Sequence, residues 1–307
     1  MLDPRGLFDF AENLPDLGQS EQLVLVHALE GFVDAGYAAK LTRNHLLDTF
    51  THHEVASFDI DQLFDYRGRR PEMTFATDHW QSYARPDLTL HAVYDETGRP
   101  FLLLTGAEPD YQWERFAAAV ELLVETFGIR LVIGLNSIPM NVPHTRPTTV
   151  IAHGRPAELI NGYTPWLGTV QVPASAGHLL EFRMADAGLN SMGFAVNVPH
   201  YVANLEYPEA AVKLLECIAA AAKLELPTLA LADAAIGVRA NIDTQVEASA
   251  EIAAVVHALE TQYDEIIAGR ASSLLAEGSR LPTADEIGEE FERYLLQQPD
   301  QNPEPDE

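Results

Sequence analysis

The sequence predicts an α/β fold with a largely parallel sheet and a helical C-terminal appendage. Short apolar runs typical of buried strands alternate with amphipathic helical segments up to residue 232, and this alternation is typical of α/β layers. After Asp233 the strand pattern stops and only helical periodicity remains. We therefore expect four regions: an N-terminal extension (1–21), an α/β core domain (22–232), a helical subdomain (233–298) and a disordered acidic tail (299–307).

The first half of the core contains four strands and two helices. QLVLVHAL is a short buried strand, the segment that follows Gly31 and Gly36 is a helix, and EVASFDI is a second strand. LTLHAVYD and FLLLTG form a hairpin through the turn residues DETGRP. The clearest helix lies in EPDYQWERFAAAVELLVETFG, where Asp110 is placed to cap the start and Gly128 to end it. One face of this helix is apolar at helical spacing: Phe116, Val120, Leu123 and Phe127.

The second half of the core contains three more strands and two more helices. IRLVIGLN is a buried strand, and we expect a proline-rich, non-helical loop over Asn136–Val150. TTVIAHG and GFAVNVPHY are strands, SAGHLLEFRMADAG is a helix capped by Ser175, and YPEAAVKLLECIAAAAKLEL is a second helix. In the C-terminal subdomain Thr283 and Glu286 form a capping box that begins a helix. Before it, one long helical stripe is apolar: Val246, Ala250, Ala253, Val256, Leu259, Tyr263 and Ile266.

Composition limits the classes of partner and cofactor. The formal net charge is −27, from 19 basic and 46 acidic residues, and such a surface repels both phosphate backbones and anionic lipid. We therefore expect neither nucleic acid nor a membrane as a partner. The single cysteine, Cys217, lies in an apolar helical stretch and fits a cytoplasmic protein without disulfides. The common phosphate, dinucleotide, zinc and nucleophile motifs are absent from the sequence, so we expect no cofactor and no metal.

Polar residues follow the predicted strands at the point where each strand ends. In an open α/β sheet, ligands bind beyond the carboxyl ends of the parallel strands. If the strands are parallel neighbours, these turns share one crevice for a ligand or a partner. The predicted crevice residues are Glu30, Gly31, Asp34, Glu108, Asn136, His144, Arg146, His200 and Tyr201.

Alternative roles are open for His144 and Arg146 at this crevice. In the functional interpretation Arg146 binds an anionic group and His144 transfers a proton. In the structural interpretation both tie the proline-rich loop together, with Arg146 pairing with Asp34 or Glu108. They could also face a neighbouring subunit, whose acidic surface would attract an arginine. No pair of side chains qualifies as a catalytic dyad from the sequence, so we assign no catalytic residue.

Four segments in this order resemble the proteasome assembly chaperone 2 family, in its actinobacterial branch: EGFVDAGYAAKL, LLLTGAEPDYQWERFAAAVELL, GLNSIPMNVPHTRP and NVPHYVANLEYPEAAVKLLECIA. The resemblance implies a three-layer sandwich similar to the phosphorylase and peptidyl-tRNA hydrolase type, and it implies homo-oligomerisation. In the eukaryotic branch, members hold proteasome α-subunits during ring assembly, partly through a C-terminal hydrophobic-Tyr-X tail. This chain departs from that pattern because it ends in NPEPDE.

Two functions from different classes follow. The first is a non-enzymatic binding or assembly protein with a proteasome-related partner, favoured by the resemblance and by the absence of a strong catalytic signature. The alternative is a phosphorylase- or hydrolase-like enzyme, or a degenerate one, that binds an anionic small molecule at the strand-end crevice. There Arg146 would hold the anion, His144 would act as acid or base, and Asp34 or Glu108 would orient the imidazole.

Overall fold

The computed structural model describes residues 2–17, 22–163 and 169–276. Within these residues the strands are β1 (Phe8–Phe10), β2 (Val24–Glu30), β3 (His52–Phe58), β4 (Met73–Ala76), β5 (His79–Tyr83), β6 (Leu88–Tyr94), β7 (Pro100–Ala107), β8 (Leu131–Met140), β9 (Val150–Arg155) and β10 (Ser191–Pro199). The α-helices are α1 (Ala38–Thr49), α2 (Trp113–Phe127), α3 (Ala176–Asp186), α4 (Pro208–Ala222), α5 (Leu229–Glu247) and α6 (Ala250–Ala276).

Eight of the strands form one mixed sheet in the order β1-β3-β6-β7-β2-β8-β10-β9. Its four central strands, β7, β2, β8 and β10, run parallel to one another, while the outer strands are antiparallel. The predicted α/β class with a largely parallel sheet is thereby confirmed, as is the predicted hairpin of β6 and β7. All four parallel strands end at the same edge, which is where the candidate site lies.

Alternation along the central strands builds a core on each face of the sheet. In β2, Val24 and Val26 face one core while Leu25 faces the other, because successive side chains in a strand point to opposite sides. Helices α1 and α4 cover the first face and helices α2 and α3 cover the second, which gives three layers. Helix α5 packs on α4 and contributes Ile242 to the first core.

Three local predictions are corrected by the structure. Asp110 does not cap α2: Gln112 precedes the helix in a left-handed conformation, and the Asp110 carboxylate accepts the amide of Asp65 instead. Asn136 does not open a loop, because β8 continues to Met140 through pairing with β10. The C-terminal apolar stripe does not form one helix, since α5 ends at Glu247 and α6 begins at Ala250.

Strands β4 and β5 form a separate two-stranded hairpin that the sequence analysis did not predict. Residues Met73↔Tyr83 and Phe75↔Trp80 pair across it, and the Phe75 and Trp80 rings meet edge to face with centroids 5.2 Å apart. All four of these side chains are exposed, Trp80 to 63%.

The chain divides into two units, residues 1–256 and 257–307, and the described part of the second unit belongs to α6. The predicted helix over 282–298 and the predicted tail over 299–307 lie outside the described residues. Among the described helices, none combines the length and the apolar character that crossing a membrane requires.

Candidate functional site

Asp34 holds the start of α1 at the strand-end edge. Its Oδ1 accepts hydrogen bonds from the amide of Ala39 at 2.9 Å and from the hydroxyl of Ser137 at 2.7 Å. Its Oδ2 accepts a hydrogen bond from the amide of Lys40 at 3.1 Å. The first amides of a helix lack internal acceptors and carry partial positive charge, so a carboxylate here is stabilising. The Ser137 hydroxyl is fully buried on β8. Asp34 therefore joins the β2–α1 connection to the neighbouring strand.

Glu108 performs the same capping role for a helix that is distant in sequence. Its Oε1 accepts the amide of Ala176, the first residue of α3, at 2.6 Å. Its own amide donates to the carbonyl of Glu30 at 2.7 Å, which holds the ends of β7 and β2 together. Burial raises the pKa of Glu108, although the hydrogen bond from Ala176 opposes this effect.

Arg69 is a site residue that the sequence analysis missed. Its guanidinium donates to Asp110 Oδ2 at 2.7 Å, to the carbonyl of Glu108, and to the carbonyl of Glu30 at 3.4 Å. Gly31 lies directly beneath it with φ +144°, and a Cβ there would collide with the guanidinium. Arg69 thus clamps two predicted crevice turns, but nothing in its local sequence marks this role.

A row of four residues crosses the sheet in register, inside the strands and before their carboxyl ends: His27 on β2, Gly134 on β8, Gly193 on β10 and His153 on β9. Glu181 from α3 lies over the two glycines. Its Oε2 is 2.6 Å from His153 Nε2, and its Oε1 is 3.6 Å from His27 Nε2. A Cβ at either glycine would collide with Glu181 and with the adjacent imidazole, so only glycine permits this arrangement. None of these four residues is among those predicted from the sequence.

The pKa values of the two imidazoles of this row are shifted in opposite directions. Burial lowers the pKa of His27, against the opposing charge of Glu181, so His27 is neutral near pH 7. Burial also disfavours the cation of His153, but the hydrogen bond to Glu181 and its negative charge outweigh burial and raise the pKa of His153. Glu181 therefore accepts a hydrogen bond from His153 on one side, where its charge favours the imidazolium form, and faces a neutral, buried imidazole on the other.

A small cavity and a larger groove adjoin this row. The cavity, of about 30 Å³, has room for a water-sized group and is lined in part by His27, Asp34, Glu108, Asn136 and Glu181. The groove, of about 720 Å³, shares Asn136 and Glu181 with the cavity. Its other walls are largely apolar and include the exposed side chains of Val33, Arg155, Val170, Val172 and Phe182.

His144 and Tyr201 form a second polar group, against α5. His144 is 1% exposed. The Tyr201 hydroxyl accepts the His144 amide at 2.8 Å and donates to Nδ1 at 2.6 Å, which leaves the Nε2 proton for Asp243 Oδ1 at 3.0 Å. His200 meets the Tyr201 ring edge-on, with centroids 5.4 Å apart, and Arg146 is half-buried in the turn after His144. These contacts tie the proline-rich loop to its neighbours.

The structure thus divides the predicted residues. Asp34, Glu108 and Asn136 line the cavity, and Glu30 and Gly31 lie beside them under Arg69. The other four predicted residues do not line the cavity or the groove formed by the described residues: His144, Arg146, His200 and Tyr201.

The cavity offers hydrogen bonding and charge recognition. Among the described residues, no group of three or more His, Cys, Asp or Glu side chains has the geometry to hold a metal ion. The serines nearby are engaged, because Ser175 caps α3 through the His178 amide and Ser137 binds Asp34. The acceptors Glu181 and His27 remain available for a donor group.

The sequence and the fold are similar to those of a known protein family and of several solved structures. The PAC2 family model matches residues 28–246. The chain is similar to a Mycobacterium tuberculosis protein of unknown function, with 51% identity over 88% of this chain and 92% of that chain and a TM-score of 0.84. It is similar to a Corynebacterium glutamicum protein of unknown function, with 42% identity over 85% and 98% of the two chains and a TM-score of 0.82.

A third solved structure shares the fold at lower identity. It is the Mycobacterium tuberculosis proteasome-assembly chaperone homologue, with 23% identity over 76% of this chain and 100% of that chain and a TM-score of 0.70. No curated protein gives a significant match to this sequence.

Proposed function

The chain belongs to the PAC2 family, and from this premise we propose that it is a non-enzymatic assembly protein that acts as a homo-oligomer. The observation that carries the proposal is the uncovered apolar face of the β4–β5 hairpin. Met73 and Phe75 are two residues apart on β4 and therefore point to the same face. They pair with Tyr83 and Trp80 on β5 across a register shift that leaves Gln81 without a partner in the ladder. A two-stranded hairpin is marginally stable alone, so a partner that covers this face would stabilise it.

The composition of the hairpin is that of a protein-binding surface. Aromatic side chains and Met are enriched in interfaces and supply most of the residues that dominate binding energy. Monomeric proteins rarely leave such side chains together in solvent without a function. Phe75 and Trp80 pair with each other one position before the turn end of the hairpin, and they are exposed to 56% and 63%.

Charge favours a second copy of this chain as the occupant. Residues 67–85 contain four arginines and two acidic residues, whereas the whole chain carries a net charge of −27. Arg67, Arg70 and Arg85 are exposed beside the hairpin. A basic, aromatic projection is therefore complementary to the acidic surface of another copy, and this complementarity would steer association.

The contacts of His144 also favour the non-enzymatic function over the enzymatic alternative. That alternative assigned proton transfer to His144, but both of its ring nitrogens are engaged, by Tyr201 and Asp243. The similarity to a proteasome-assembly chaperone homologue supports a proteasome-related protein as a further partner. A cytoplasmic location belongs to the same proposal.

The oligomer is tested by light scattering coupled to gel filtration on the full chain. We expect the wild type to elute with a multiple of the 33.8 kDa chain mass. The double variant Phe75→Ser/Trp80→Ser should elute as a monomer, and Val172→Ser, which changes an equally exposed apolar residue elsewhere, should keep the wild-type mass. A monomeric wild type, or a double variant that keeps the oligomer mass, would overturn the proposal.

The proteasome-related partner is tested separately with purified proteasome subunits from the source organism. We expect the wild type to co-elute with them at equimolar mixing. Separate elution of wild type and subunits at every ratio would exclude this partner and leave the homo-oligomer to be judged on its own measurement.

A further inference from the structure

We propose that the cavity between His27 and Glu181 binds an alkylammonium group, with the alkyl chain lying in the adjoining apolar groove. The proposal concerns a surface other than the hairpin and does not depend on oligomerisation. A lysine side chain of a protein partner and a free alkylamine share this chemistry.

The charge of the cavity selects a cation. Three carboxylates line it, those of Asp34, Glu108 and Glu181, beside the imidazoles of His27 and His178. Arg69 lies outside the lining, where it forms an ion pair with Asp110, although its charge also acts on Glu108. Asp34 and Glu108 accept hydrogen bonds from the first amides of α1 and α3, and Glu181 is hydrogen-bonded to His153, so these contacts offset part of the negative charge. An anion would meet net repulsion here, whereas a cation would be stabilised.

The His27 imidazole supplies an independent observation that the cavity lacks a donor. His27 is 3% exposed, and its Nε2 has no hydrogen-bond partner among the described residues. Buried polar atoms are rarely left without a partner, because an unsatisfied atom destabilises the fold. Since His27 is neutral, its Nε2 can accept a hydrogen bond in one of its two tautomers.

The spacing of the two acceptors fits an ammonium group. His27 Nε2 and Glu181 Oε1 are 3.6 Å apart, which is too long for a hydrogen bond between them. A donor placed beside both atoms can bind both, and an ammonium group has three N–H donors in a water-sized volume. The cavity of about 30 Å³ accommodates a head group of that size.

The groove supplies the surface for the alkyl chain. Glu181 and Asn136 line both the cavity and the groove, so a chain attached to the head group enters the groove directly. There it meets apolar side chains such as Ile138, Val172 and Phe182. A carboxylate and a neutral imidazole at the end of an apolar groove match an ammonium on an aliphatic stem.

Three ligands with the same four-carbon chain test the head group by isothermal titration calorimetry on the full chain: n-butylammonium, n-butanol and n-butyrate. We expect n-butylammonium to bind at least about tenfold more tightly than the other two, because only the cation is attracted by the charges of the carboxylates that line the cavity. Equal affinities for n-butylammonium and n-butanol, or tighter binding of n-butyrate, would overturn the proposal. This comparison uses the wild type and needs no variant.

Glu181→Gln and Glu125→Gln then locate the site. Both remove one negative charge and keep the side-chain shape, but Glu125 is exposed on α2 and is remote from the cavity lining. Glu181→Gln should weaken n-butylammonium binding about tenfold or more, and Glu125→Gln should leave it unchanged. Equal affinity in both variants would overturn the proposal. If Glu181→Gln does not fold, the comparison of the three ligands on the wild type still tests whether the cavity prefers an ammonium group.

An apolar pentapeptide with a central lysine, and the same peptide with norleucine, distinguish the two sources of the ammonium group. Tighter binding of the lysine peptide than of n-butylammonium identifies a partner's lysine, while tighter binding of n-butylammonium identifies a free amine. Equal binding of the lysine and norleucine peptides counts against the ammonium site. The variant Phe75→Ser/Trp80→Ser should bind n-butylammonium like the wild type, so failure of this site and failure of the oligomer are separable.

Discussion

Asp34→Ala should lower the free energy of unfolding by about 2–4 kcal/mol, the sum of two effects. Loss of a helix N-cap costs about 1 kcal/mol, and Asp34 caps α1 through the amides of Ala39 and Lys40. The substitution also removes the acceptor of the fully buried Ser137 hydroxyl, which costs about 1–3 kcal/mol when left unsatisfied. Because the second effect requires the Ser137 hydroxyl, substitution of Ser137 by alanine is the control for it.

Urea denaturation of four proteins measures both effects: wild type, Asp34→Ala, Ser137→Ala and the double variant. The double variant should be less destabilised than the sum of the two single variants by about 1 kcal/mol, because removing both partners leaves no orphaned hydroxyl. A loss below about 0.5 kcal/mol for Asp34→Ala, or additive single variants, would refute the assignment of Asp34 as a cap and strand tie.

Two further predictions concern histidines away from the cavity. His144→Ala should lower the free energy of unfolding, measured by urea denaturation, by about 1–3 kcal/mol, because the Tyr201 hydroxyl and Asp243 both lose a hydrogen-bond partner. A change within about 0.5 kcal/mol would show that the imidazole does not hold the loop. His91 has its pKa lowered from 6.5 to about 4 by burial, so the native state binds fewer protons than the unfolded state between these values. Unfolding free energy should therefore fall as pH decreases from 6.5 to about 4, and His91→Gln should flatten this dependence; an unchanged slope would contradict the assignment.

The parts of the fold that sequence predicted are those with local signals. Phe116, Val120 and Leu123 mark the buried face of α2 by spacing alone, and all three lie in the core. Ser175 caps α3 as predicted, because an N-cap depends on one residue and its next three amides. Gly128 ends α2 in the left-handed conformation that glycine permits.

The parts that sequence missed depend on partners distant along the chain. His27 lies within the apolar run of β2, so its surroundings are not evident from the local sequence. The register between β2 and β8 places it beside Gly134 and near Glu181. Glu108 caps α3, which begins 68 residues later in the chain, so this contact depends on how α3 packs against the sheet. The predicted role of Asn136 as a loop residue failed because parallel pairing with Ala195 extends β8 past the apolar run.

The hairpin was missed for a different reason. Alternation of Met73, Thr74, Phe75 and Ala76 is a strand signal, but the strand is short and is followed by the exposed turn at Thr77 and Asp78. Its apolar face also has no core to join within the described part of the chain. A local pattern of this kind indicates a strand without indicating what will cover it.

Hydrogen–deuterium exchange of the backbone amides over 73–83, measured across a dilution series of the full chain, tests the proposed role of the hairpin most directly. If the hairpin is the contact between copies, its amides should exchange more slowly at high protein concentration than after dilution, while amides of the buried strand β7 stay constant. Exchange over 73–83 that is independent of concentration in a sample shown to be oligomeric would place the contact elsewhere and contradict the account.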